Sequence, residues 1–182
     1  MPPVHSAAEL LESLLGLGAT HLVGIPDNGS AALFESARTH PDIDLVTVTR
    51  EGEAFALASG LWIGGGAPVV AIQNTGLLES GDALRGTAVR MGIPLLCLIG
   101  YRGRASMDRS GIDPFHRPDS TATLRRPDVD STALLTEPTL EVWGIPHAVM
   151  EPGREKEMVV AAWNRALDED RPIALLLAHA TG

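Results

Sequence analysis

Three short polar clusters hold the side chains best suited to chemistry: Pro26-Asp27-Asn28-Gly29-Ser30, Arg50-Glu51-Gly52-Glu53 and Gln73-Asn74-Thr75-Gly76. Asp27, Glu51 and Glu53 are carboxylates that can hold or pass a proton. Gln73 and Asn74 can orient a polar ligand, and Arg102 and Arg104 can pair with an anionic group. Each cluster also has a plain reading. Asp27 can close an Asx turn or cap a helix, Asn74-Thr75-Gly76 can shape a turn, and the two arginines can be solvated loop charges. Three such clusters at one sheet edge favour a site over three unrelated turns.

Other chemistries lack support. No G-x-G-x-x-G follows the first apolar run, and no G-x-x-x-x-G-K-[ST] occurs. The six histidines are scattered without metal-ligand spacing. Cys97 lies between leucines and reads as inert core. Ser59 and Ser80 lack the surroundings of a nucleophile elbow.

The elements that must position these clusters alternate along the chain. Ser6-Ala7-Ala8-Glu9 has capping-box spacing, followed by leucines at helical intervals and by Gly16 and Gly18 as a stop. Apolar runs at 21–25, 45–49, 69–72, 94–99, 147–150 and 173–178 read as six strands. Helices are expected over about 31–39, 51–63, 80–91, 131–143 and 154–167. Ser30 is positioned to cap the second helix. The strands are continuously apolar, as buried parallel strands are. The fold class is therefore α/β: a doubly wound, mostly parallel, six-stranded sheet with helices on both faces. In such sheets ligands bind beyond the carboxyl ends of the strands, where all three clusters fall. Residues 101–127 are rich in Arg, Asp, Ser and Pro and read as one long loop, of the kind that forms a lid.

The 182 residues suit a single domain. Formal net charge is −9, which argues against nucleic acid or an anionic membrane as partner. No apolar run approaches membrane-spanning length, and no N-terminal signal segment is visible. With a single cysteine, these features lead us to expect a soluble cytoplasmic protein.

Three segments, in order, carry a family resemblance. Gly24-Ile25-Pro26-Asp27-Asn28 resembles the G-V-P-D-S of phosphonopyruvate and sulfopyruvate decarboxylases. Glu51-Gly52-Glu53-Ala54-Phe55-Ala56-Leu57-Ala58-Ser59-Gly60 resembles their E-G-N-A-V-A-L-A-A-G. Gln73-Asn74-Thr75-Gly76-Leu77 resembles their Q-N-S-G-L, with Ala83-Leu84 at a matching distance. Asn28, Glu53 and Thr75 depart from the pattern, and the likeness fades after Tyr101-Arg102-Gly103. The resemblance implies the pyrimidine-binding domain of a thiamine-diphosphate enzyme.

It also implies roles. Glu51 matches the carboxylate that hydrogen-bonds the cofactor's aminopyrimidine and so activates it. Gln73, Asn74, Thr75 and Gly76 match cofactor-side positions. Asp27, Asn28 and Arg102 become candidates for the substrate, a 2-oxo acid, with Asp27 also a candidate for proton transfer. Glu53 lies about 200° around the helix from Glu51 and reads as a surface charge favourable to the helix dipole. No metal ligand is expected on this chain. Mg²⁺ and the diphosphate are expected on a partner beta subunit carrying G-D-G with a downstream Asn, because neither motif occurs here. The chain would then be the small subunit of a split decarboxylase, with pyrimidine domains also self-associating. The alternatives are an acetolactate synthase-like carboligase subunit, a non-catalytic structural or regulatory paralogue, and an unrelated flavodoxin-like binding module.

Overall fold

The computed structural model describes residues 4–113 and 121–182. In chain order the strands are β1 (His21–Gly24), β2 (Asp44–Thr47), β3 (Pro68–Gln73), β4 (Leu96–Gly100), β5 (His147–Val149) and β6 (Ile173–Leu177). The helices are α1 (Ala7–Gly16), α2 (Ala31–Thr39), α3 (Glu51–Ile63), α4 (Asn74–Glu79), α5 (Gly81–Leu84), α6 (Arg104–Ser110), α7 (Thr121–Leu124), α8 (Ser131–Val142) and α9 (Glu155–Glu169). The strands join in the order β2-β1-β3-β4-β6-β5, and the pairings are parallel. This is the doubly wound sheet expected.

The strands bury both faces, which explains their unbroken apolar runs. Val69, Ala71, Leu96, Leu98, Ile173 and Leu175 face one core, with Leu10, Leu14, Phe34 and Trp163 from α1, α2 and α9. Their neighbours Val70, Ile72, Cys97, Ile99, Ala174 and Leu176 face the other, with Phe55, Leu77, Leu84 and Leu140 from α3, α4, α5 and α8. Burial pushes the Cys97 thiol up to about 12, so it is core. Beside the central strand, Gly24 lies against the Ala71 carbonyl so closely that a Cβ there would overlap backbone. That approach draws β1 onto β3 and fixes the crevice between them.

Because β1 connects outward to β2 and the chain then returns to β3, the winding reverses between β1 and β3. Ligands bind at such a switch point in open α/β sheets.

Three expectations change. Gln73–Gly76 is no free turn: α4 starts at Asn74, directly after β3. The helix expected over 80–91 breaks into α5 and a π-helical turn, Arg85–Val89, with Ser80 bonding back to the Gly76 carbonyl at 2.5 Å. The long loop over 101–127 holds α6 and α7; its residues 114–120 lie outside the described residues. Gly103 and Gly111 take left-handed backbone at the two ends of α6 and bracket that helix, a signal the sequence carried among its charged residues. Among the described residues no helix is long and apolar enough to cross a membrane.

Candidate active site

Asp27 follows β1 and has two duties. Its Oδ1 accepts from the Gly29 N–H at 3.1 Å, the Ser30 N–H at 2.8 Å and the Ser30 hydroxyl at 2.7 Å. That is the capping turn of the plain reading, with the roles reversed from expectation: Ser30 makes no side-chain cap of α2, and its hydroxyl serves Asp27 instead. Asp27 Oδ2 points across the switch point and accepts from Gln73 Nε2 at 2.6 Å. Asn28 is exposed at the tip of this turn. The chain's C-terminal segment pins the turn from behind, where Thr181 donates to the Gly29 carbonyl from its N–H at 2.7 Å and its hydroxyl at 3.0 Å.

The row continues along the strand ends. Gln73 Oε1 accepts from the Thr75 hydroxyl at 3.0 Å and from Arg102 Nη1 at 3.5 Å. Arg102 Nε donates to Asp130 Oδ2 at 2.9 Å. Burial alone would raise the Asp130 carboxyl, but the Thr132 N–H and Arg102 outweigh it and hold it below the ordinary carboxylate value. Ser30, Asp27, Gln73, Arg102 and Asp130 thus form one chain of polar contacts over the ends of β1, β3 and β4. Arg102 remains half exposed and keeps further N–H groups for a ligand.

Asn74 turns the other way. It is fully buried, and its Nδ2 donates to the Arg102 carbonyl and the Thr136 hydroxyl, each at 3.0 Å. Through Nδ2 its amide ties α4 to α8 inside the domain, while its Oδ1, expected on the cofactor side, is buried with no hydrogen-bond partner among the described residues. The extended backbone at Gln73 turning into helix at Asn74 sends the two neighbouring amides apart.

Glu51 is the first residue of α3 and is half-buried. No hydrogen bond or ion pair to another described residue engages its carboxylate. Its side chain lies over Gly76, where a Cβ would overlap Glu51 Cγ. A glycine cradle beneath an uncommitted, half-buried carboxylate suits a group that donates a hydrogen bond to that carboxylate. The aminopyrimidine implied by the sequence is such a group. Among the described residues no cluster of His, Cys, Asp and Glu is arranged to hold a metal.

Sequence reasoning missed what frames Glu51. Glu53 is exposed, as expected, yet it is more than a surface charge. Its carboxylate reaches back to the Thr49 N–H at 3.0 Å, the Arg50 N–H at 3.2 Å and the Thr49 hydroxyl at 2.9 Å. Those bonds hold its carboxyl below the usual range, the Thr49 N–H contributing most. Glu79, on α4, pairs with Arg50 and accepts from the Gly52 N–H at 3.1 Å. Glu53 sits three residues after the N-cap Arg50, where a glutamate can reach back to the N-cap backbone, but an arginine at the N-cap is not the Ser or Thr that marks a capping box in sequence. Glu79 carried no signal, because α4 was read as a turn.

A second polar cluster was also missed. The buried Tyr101 hydroxyl donates to Glu137 Oε1 at 2.8 Å, and His147 Nε2 lies 3.6 Å from Glu137 Oε2. Burial, with the Glu137 charge, pushes the Tyr101 phenol far up. A cavity of about 540 Å³ adjoins this cluster at the β5 edge, and one of about 1010 Å³ runs between α1 and α9. Neither is lined by Asp27, Glu51, Gln73 or Gly76.

Known proteins resemble this chain in sequence and in fold. Residues 5–122 match the family described as thiamine pyrophosphate enzyme, N-terminal TPP binding domain. A phosphonopyruvate decarboxylase of Streptomyces viridochromogenes is 37% identical over 98 residues, covering 54% of this chain and 25% of that protein. The sulfopyruvate decarboxylase subunit alpha of Methanothermobacter thermautotrophicus is 28% identical over 137 residues, covering 67% of this chain and 83% of that subunit. The chain therefore spans about a quarter of the phosphonopyruvate enzyme it matches. Among solved structures, the thiamine diphosphate-dependent 4-hydroxybenzoylformate decarboxylase of Rhodococcus jostii RHA1 superposes with a TM-score of 0.64 at 19% identity, over 98% of this chain and 31% of that one.

Proposed function

The chain belongs to the N-terminal TPP-binding domain family of thiamine pyrophosphate enzymes, and from that premise we propose that it is the small subunit of a two-chain decarboxylase. Its substrate is a 2-oxo acid carrying a second anionic group, a phosphonate or sulfonate. The partner chain supplies the diphosphate site with Mg²⁺, through a G-D-G motif and a downstream Asn. The observation that carries this reading is Glu51, half-buried, uncommitted and resting on Gly76. The names of the relatives and the row of polar contacts over the strand ends support it.

Thiamine diphosphate, when bound, supplies an acidic carbon and a sink for the electrons left by departing CO₂. Glu51 holds a hydrogen bond from the aminopyrimidine ring at its carboxylate, and the missing Cβ of Gly76 leaves room for it. Its position at the rigid start of α3 presents that oxygen without reorganisation. Gln73 and Thr75 line the same edge. Asp27 keeps one oxygen bound to its own turn and offers the other toward the cleft through Gln73. It is the group placed to exchange a proton with the reacting carbon, and Asn28 lies beside it. Arg102, braced by Asp130, meets the second anionic group.

The test is reconstitution. The chain alone should bind thiamine diphosphate weakly, and adding the partner with Mg²⁺ should tighten binding sharply. Tight binding by the lone chain in calorimetry would contradict the split site. The assembled pair, given phosphonopyruvate, sulfopyruvate and pyruvate, should release CO₂ and an aldehyde. Acetohydroxy acids as products would identify a carboligase instead. Arg102→Ala should raise KM for the sulfonated or phosphonated acid far more than for pyruvate; equal losses would mark Arg102 as structural.

A further inference from the structure

The first turn of a helix has N–H groups with no partner inside the helix. In α3, Glu53 closes the outer side of that turn through Thr49 and Arg50. The inner side is closed from another element. The Gly52 N–H, in the peptide unit immediately after the Glu51 α-carbon, donates to Glu79 Oε2 at 3.1 Å. The other oxygen of the same carboxylate takes the Arg50 side chain, with Nε at 3.1 Å and Nη2 closer. Glu79 therefore grips the residues on both sides of Glu51.

Glu79 also shares a helix with Gly76. The two are three residues apart on α4, hence on one face. Gly76 carries the Glu51 side chain, while Glu79 carries the backbone to which that side chain is attached. One turn of α4 thus fixes the origin of the Glu51 side chain and the surface on which it rests. Arg50 completes the device electrostatically. Paired with it, the Glu79 carboxyl lies below its usual range and its charge is largely offset. The Ser80 hydroxyl, bonded to the Gly76 carbonyl, holds the end of the same turn.

We infer that Glu79, together with Arg50, is a positioning residue for Glu51: its carboxylate locks the Glu51–Gly52 peptide unit against α4 so that the Glu51 carboxylate is presented over Gly76 before any ligand arrives. This rests on the thiamine-activating role assigned to Glu51. The ligand concerned is the aminopyrimidine ring, which Glu79 does not touch.

Two readouts test it. In the chain alone, Glu79→Ala should speed amide hydrogen exchange at Gly52 by at least about ten-fold, because that N–H loses its acceptor. In the complex with the partner, Mg²⁺ and thiamine diphosphate, the exchange of the cofactor's C2 hydrogen for deuterium should slow by roughly ten- to a hundred-fold, the scale of a misplaced catalytic group. Cofactor affinity should change little. Glu79→Gln keeps an oxygen for Gly52 and should recover most of the rate. Should Glu79→Ala fail to fold, Glu79→Asp retains the charge but is too short to reach Gly52, and it should show the same slowing. A wild-type C2 exchange rate in Glu79→Ala or Glu79→Asp, with Glu51→Gln slow, overturns the positioning role and leaves the role of Glu51 standing. Wild-type rates in all of them, Glu51→Gln included, overturn both. Equal losses of rate and cofactor affinity in Glu79→Gln and Glu79→Ala show a purely structural pair and also overturn the proposal.

Discussion

Replacing Gly76 with alanine should leave the fold intact and still disable the site. A Cβ at Gly76 falls on Glu51 Cγ, Cδ and Oε1, its three nearest atoms and the outer part of a flexible side chain. Pushing Glu51 about 30° off its rotamer to make room costs about 0.5–1.5 kcal/mol. Alanine in place of glycine within a helix returns up to about 1 kcal/mol. The net change in stability should stay within about 1 kcal/mol, a melting shift of roughly 2–4 °C for a chain of this size. The carboxylate, however, must leave its place over α4, and a displacement of about 1 Å can cost on the order of 100-fold in rate. Gly24→Ala gives the contrast. There the new Cβ overlaps the Ala71 carbonyl in the middle of the sheet, and the backbone cannot yield. That variant should lose about 3 kcal/mol or more. Urea melts of both variants, followed by turnover of the reconstituted complex, separate the two effects. A Gly76→Ala protein with wild-type melting and wild-type turnover would refute the idea that Glu51 works from its seat on Gly76. A collapse of Gly76→Ala like that of Gly24→Ala would refute the claim that a flexible side chain stands in the way.

Asn74→Ala should cost about 1–3 kcal/mol in denaturant melts, because it strips partners from the buried Thr136 hydroxyl and the Arg102 carbonyl. Cys97, with its thiol pushed up to about 12, should resist a thiol reagent at pH 8 in the folded chain and react once the chain is unfolded in urea. His147 is raised above its ordinary value of 6.5, chiefly by its bond to Glu137, against an opposing effect of burial. The protonated form is therefore favoured in the native state. Its contribution is fully present below pH 6.5 and disappears as pH rises through the raised native value. Urea stability should fall over that interval in the wild type, and His147→Asn should flatten the slope.

The sheet was readable because parallel strands buried on both faces leave continuous apolar runs, as Val69–Ile72 and Leu95–Ile99 do. The bounds of α3, Glu51–Ile63, followed from the polar start and the glycine stop. The break between α4 and α5 was hidden. Asn74, Gly76, Ser80 and Gly81 are weak helix formers, and tertiary contacts through Asn74 and Glu51 decide the conformation there. The chemistry of Asp27 and Gln73 was legible as residue type and place, but their mutual bond joins positions 46 apart. The Glu79–Gly52 bond, 27 apart, and the Tyr101–Glu137 bond, 36 apart, were invisible for the same reason. Local spacing indicates which side chains follow a strand, whereas their pairing across strands is fixed by register. Asn74 shows the converse: a polar residue within a recognised motif can turn inward and serve the scaffold.

The most direct test of the central claim is Glu51→Gln in the reconstituted complex, with NMR following exchange of the thiamine C2 hydrogen for deuterium. The amide preserves size and leaves the contact with Gly76 in place, but it cannot act as the carboxylate. Exchange and turnover should fall together, by roughly 10²–10⁴-fold, while cofactor affinity changes modestly. Exchange at the wild-type rate would contradict the account.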